Sequence, residues 1–150
     1  MRSAAEVLVQ APRDVVWRMV TDIPNSAGRV AGVEKVEILE KPEKGLKGLK
    51  WRETRTMWGK EAVATMWIAD ATYLSSMDTE SHEQNMVYTT RTTLEETPNG
   101  VRLRREFAGK PRTVGAKLLN VVFSLSMKGM LRKALQKDLE DIKAAAEASQ

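Results

Sequence analysis

Between Val33 and Phe107 the sequence changes side-chain character at every second residue, and beyond Thr113 at every third or fourth. These two periods leave few folds open, because the first belongs to half-buried strands and the second to an amphipathic helix. VEKVEILE (Val33–Glu40) alternates cleanly, and KPEKGLKG supplies the turn after it. LKWRETRTMW (Leu49–Trp58) and EAVATMWIAD (Glu61–Asp70) read as two further strands joined at Gly59-Lys60, and a fourth lies around Leu74–Ser81. MVYTTRTTLEE (Met86–Glu96) is rich in β-branched residues. Thr97-Pro98-Asn99-Gly100 turns it back into VRLRREF (Val101–Phe107), Asn-Gly being the strongest short hairpin signal. Gly109-Lys110-Pro111 is expected to close the sheet.

Ahead of this region, Glu6–Gln10 alternates as a strand, and Ala11-Pro12 opens a helix with Val16, Trp17, Val20 and Ile23 on one face. Pro24, Asn25 and Gly28 leave room for a second short helix over Pro24–Arg29. At the other end, Leu131, Leu135, Leu139, Ile142 and Ala146 recur at spacings of three and four. Extended backward, that stripe meets Lys128, Ser124 and Lys117, while apolar residues cover the other faces. Either the helix bends near Gly129, or its first half carries an extra apolar side that is buried more deeply or meets ligand, lipid or another chain. The order is strand, two helices, six strands, long helix, an α+β chain expected to form one domain over residues 1–150.

A chain of 150 residues with 42% hydrophobic and 29% charged side chains can bury a core without staples. It has no cysteine, so disulfide and thiolate chemistry are excluded, and a single histidine makes a zinc site improbable. No stretch reads as a secretory leader or a membrane span, and a cytoplasmic protein is expected. No phosphate loop, nucleophile elbow or HExxH is present, so neither a cofactor nor a catalytic constellation is expected. Arginines do not interleave with aromatics as in single-strand binders, which argues against nucleic acid. From Phe107 to Lys137 the seven charged residues are all basic. The segment Lys117–Lys133 could therefore meet an anionic membrane or a second copy of the chain, the other reading being a solvated basic face.

The opening APRDVVWRMVTDIPNSAGRVAGVEKVEIL resembles the start of the SRPBCC superfamily, the START-like or helix-grip proteins, with Ala11-Pro12, Val16-Trp17 and Asp22 as the matching residues. GLKWRETRTMWGKEA (Gly48–Ala62) resembles the second hairpin of its bacterial polyketide cyclase/dehydrase and lipid-transport branch, and MKGMLRKALQKDLEDIKAAAE the closing helix. The resemblance implies a seven-stranded curved antiparallel sheet wrapped around the C-terminal helix, with a cavity for lipids, sterols, quinones or polyketide-like aromatics between them. It does not by itself carry an activity across.

Alternation also nominates the side chains that face such a cavity. On Leu49–Trp58, Trp51, Glu53, Arg55 and Met57 share one face, opposite the more polar set Lys50, Arg52, Thr54, Thr56 and Trp58. Buried charges need partners, so Glu53 and Arg55 should pair with each other or with an inward group of a neighbouring strand, Arg105 being the obvious one. Arg55 or Arg105 could instead anchor a carboxylate, phenolate or phosphate on a ligand. Met66, Met86, Tyr88, Thr90 and Phe107 complete the candidate ligand-facing set, each equally at home as a core residue. His82, in SHEQN between two strands, would need Glu80 or Glu83 to act as a base and reads otherwise as a surface residue. Three functions remain open: binding or carriage of an apolar small molecule, a cyclase-, dehydrase- or hydrolase-type enzyme acting on one, and a membrane-surface or protein-interaction module.

Overall fold

The computed structural model describes residues 2–57, 59–83, 85–112 and 114–149, with backbone alone for Met57 and residues 114–128. Strand β1 (Arg2–Val9) leads into α1 (Arg13–Thr21) and a short 3₁₀-helix (Ile23–Gly28). Then come β2 (Val33–Glu40), β3 (Lys50–Met57), β4 (Lys60–Thr72), β5 (Ser76–Glu83), β6 (Met86–Thr97) and β7 (Gly100–Pro111), before α2 (Val114–Ala148). The strands form one seven-stranded sheet in the order β1-β7-β6-β5-β4-β3-β2, antiparallel throughout. The sheet curves around α2, which rests on β1 and β7 and meets α1 at its C-terminal end.

Two strands run further than alternation indicates. β1 begins at Arg2, not Glu6, because it pairs with β7 along its whole length, from Arg2↔Ala108 to Val9↔Val101. Gly109-Lys110-Pro111 does not close the sheet but continues β7, opposite Tyr88, Val87 and Met86. A glycine at 109 suits this register: a Cβ there would lie 3.1 Å from Tyr88 Cε1. Pro12 stands just ahead of the first helical residue, its carbonyl accepting from the Val15 and Val16 amides.

The two faces of the sheet divide as period two requires. Outward-facing pairs such as Arg52–Glu37 at 3.0 Å and Arg91–Asp78 at 2.9 Å bridge neighbouring strands. Inward, Val9, Leu103, Leu139 and Ala146 are fully buried with Val16 and Val20 of α1, so the continuous core lies where α1 and the C-terminal half of α2 close the grip. The α2 residues Leu139, Ile142 and Ala146 belong to it, and Leu135 packs on its edge.

The hairpin turn between β6 and β7 is locked to this closed end. Gly100 has φ +136°, a conformation that L side chains rarely adopt, and a Cβ there would lie 2.8 Å from the Val9 carbonyl oxygen. Gln10 Nε2 also donates to the Asn99 carbonyl at 2.6 Å. Gly100→Ala is therefore expected to destabilise the chain by about 2 kcal/mol, read by urea denaturation. A loss below about 0.5 kcal/mol would show that the turn relaxes freely.

Candidate functional site

Between the concave face of the sheet and α2 lies a cavity of about 330 Å³. The central strands line it, mostly through alternate residues: Trp51, Glu53 and Arg55 from β3, Met66 from β4, and Met77, Thr79 and Ser81 from β5, with Glu80 and Glu83 of β5 also reaching it. Tyr88, Thr90 and Thr92 of β6 and Arg105 and Phe107 of β7 continue the wall. The helix contributes Leu131, Ala134, Leu135, Asp138 and Ile142, one face at spacings of three and four. Met19, Val20 and Ile23 cover the end nearest α1.

Eight of the ten residues nominated from sequence line this wall: Trp51, Glu53, Arg55, Met66, Tyr88, Thr90, Arg105 and Phe107. Met86 is not among the lining residues; it begins β6, and a Cβ added at Gly109 would lie 3.3 Å from its Cε. The side chain of Met57 lies outside the described residues, as do those of Lys117 and the rest of the basic apolar segment up to Lys128. His82 lies near the end of β5 and is not among the lining residues, though Glu80, Ser81 and Glu83 beside it are; its ring lies on Trp67 at 4.8 Å and Nε2 3.4 Å from Glu80. Its Nδ1 lies 2.7 Å from the guanidinium of Arg112.

The charged residues of the wall pair only in part as alternation suggested. Arg55 Nε donates to Glu53 at 2.7 Å, but its second partner is Asp138 of α2, also at 2.7 Å, and not a group from a neighbouring strand. Arg105 forms no ion pair with Glu53; it donates from Nε to the Thr92 hydroxyl at 3.0 Å. Asp138 was the residue missed, although a signal was there. It stands three residues after Leu135 and four before Ile142, an acid on an otherwise apolar helix face. Burial works against the Arg55 charge, but Asp138 and Glu53 outweigh it and hold the guanidinium above its ordinary value. Burial pushes Arg105 the other way, below its ordinary value, with opposing contributions from Asp138, Arg55 and Glu53.

At the other end of the wall, Tyr88 and Phe107 stack with centroids 5.5 Å apart and 20° between their planes. Burial, helped by the charge of Glu83, raises Tyr88 above the ordinary phenol value, so it offers the cavity a hydroxyl and not a phenolate. Ser81 donates to the Thr65 carbonyl at 2.9 Å, which satisfies its proton within the sheet. A third guanidinium, Arg29, reaches the wall from beyond the 3₁₀-helix and pairs with Asp22 at 2.9 Å. Among the described residues no cluster of three or more His, Cys, Asp or Glu is placed to hold a metal ion, and no helix is long and apolar enough to cross a membrane.

No protein-family model and no curated protein matches the chain significantly. Solved structures do match it. TTHA0849 from Thermus thermophilus superposes with a TM-score of 0.77 at 15% identity, over 100% of this chain and 99% of that one. The ZhuI aromatase/cyclase from Streptomyces sp. R1128 gives 0.73 at 18% identity, over 98% and 93%. Ara h 8.0201 gives 0.68 at 13% identity, over 99% and 98%. At such identities the likeness is one of fold. Strand order, closing helix and these full-length superpositions agree, and the chain has the helix-grip fold.

Proposed function

We propose that this protein binds and carries an apolar small molecule, a lipid, an isoprenoid or an aromatic polyketide-like compound, in the cavity between sheet and helix. The observation that carries the reading is the wall itself. Trp51, Met66, Met77, Phe107, Leu135 and Ile142 surround about 330 Å³, with hydroxyl and charged groups set among them. That volume lies at the lower end of the roughly 300–1,000 Å³ usual for small-molecule sites, and such sites are mostly apolar with few polar groups that orient the guest. Methionines on two adjacent strands, Met66 and Met77, give the wall side chains that adapt to an irregular guest. That one fold neighbour is an aromatase/cyclase supports a polyketide-like guest among the three classes.

The test is native mass spectrometry of protein purified without detergent, followed by organic extraction of whatever is bound. A stoichiometric apolar companion is expected. Protein that is empty, and that also fails to enhance the fluorescence of the neutral apolar dye N-phenyl-1-naphthylamine, would overturn the reading.

A further inference from the structure

Three guanidinium groups reach the cavity wall, and they differ in what neutralises them. Arg29 has Asp22, and Arg55 has both Glu53 and Asp138. Arg105 has no carboxylate within ion-pair distance among the described residues, and its single hydrogen bond, from Nε, goes to the neutral Thr92 hydroxyl. The residues outside that description cannot supply the missing side-chain carboxylate, because Met1, Met57, Trp58, Gln84, residues 113–128 and Gln150 include no Asp or Glu. Among the described residues neither terminal amino group of Arg105 has a protein acceptor, and neither is sealed off from the cavity that it lines.

Position agrees with that assignment. Arg105 stands in a row across the sheet, with Ala5 on one side and Thr92 then Met77 on the other. Phe107 follows it on the same face of β7. A group bound to Arg105 would thus have apolar wall beside it for the rest of the molecule. The fork of two terminal nitrogens matches the two oxygens of a carboxylate. The charge count favours one negative charge over two. Glu53 and Asp138 act on Arg105 through space, and with Glu80 and Glu83 also on the wall they would repel a dianion more than a monoanion.

We infer that the guest is an apolar monoanion, a carboxylic acid with a hydrophobic body, whose head group is held by Arg105 while Arg55 is spent inside the protein. This rests on the cavity being a binding site, and it adds which arginine selects the guest and for what chemistry. The anion would also restore the countercharge that burial denies Arg105.

The test uses matched probes. Decanoic acid, decanol and decyl phosphate compete at neutral pH against bound N-phenyl-1-naphthylamine, and their affinities are compared within each protein. For the unmodified chain the acid is expected to bind at least about tenfold tighter than the alcohol, the value of a charge-assisted pair. In Arg105→Met the ratio of acid to alcohol should fall to near one. In Arg105→Lys, which keeps the charge and protects against a variant that fails to fold, a reduced preference should remain. Equal binding of acid and alcohol by the unmodified chain would overturn the inference while leaving the cavity a binding site. Tighter binding of decyl phosphate than of decanoic acid would overturn the monoanion, and a preference untouched in Arg105→Met would overturn the anchor. A dye that never binds would instead remove the binding reading beneath it.

Discussion

Arg55→Met is expected to lower stability by about 3–5 kcal/mol at neutral pH, the usual cost of leaving buried charge without its partner. Arg55 is the only cation within hydrogen-bond reach of both Glu53 and Asp138 among the described residues. Their side chains keep 13% and 9% of their exposure, and that of Arg55 24%, so water cannot take over the pairing. The sign of the pH dependence follows. In the unmodified chain the Arg55 charge is held above its ordinary value, so its contribution is present throughout the acid and neutral range and lost only at extreme alkalinity. The deficit should therefore be fully present at neutral pH, far below the alkalinity at which the guanidinium would lose its charge. Urea titrations of both proteins at neutral and acid pH measure it. A neutral-pH loss below about 1 kcal/mol would show that the triad is solvated and carries little.

The second large effect belongs to the helix. Leu139 is 0% exposed at the centre of the closed end, and Leu139→Ala should cost about 3 kcal/mol through lost contact and the cavity left behind. Leu39, on β2, is 39% exposed, and the same truncation there should cost less than about 1 kcal/mol. The comparison holds the chemistry constant and varies only burial, so equal losses in the two variants would mean that α2 does not seat on the core through this stripe.

These two experiments separate what was legible from what was not. Leu139, Ile142 and Ala146 were identifiable as core from spacing alone, and so were Trp51, Glu53 and Arg55 as one inward face of β3. Both inferences use a period set by the backbone, which neighbours in the chain express without any partner. The bounds of β1 and β7 were less legible, since a strand ends where its partner ends and not where alternation fades. Ser3, Ala5 and Gly109 are held in the sheet by pairing across β1, β7 and β6.

The roles of the charged groups were decided elsewhere. Sequence alone established that an arginine and a glutamate face inward on β3 and another arginine on β7, and hence that the cavity holds charge. Which arginine is neutralised depended on Asp138, eighty-three residues from Arg55 along the chain, swung into reach by the packing of α2 across the sheet. Coulomb attraction and hydrogen bonding act through space over a few ångströms, and no local period records which distant groups the fold brings that close. The inward set is therefore a property of the sequence, while the division into a satisfied Arg55 and an available Arg105 is a property of the tertiary structure.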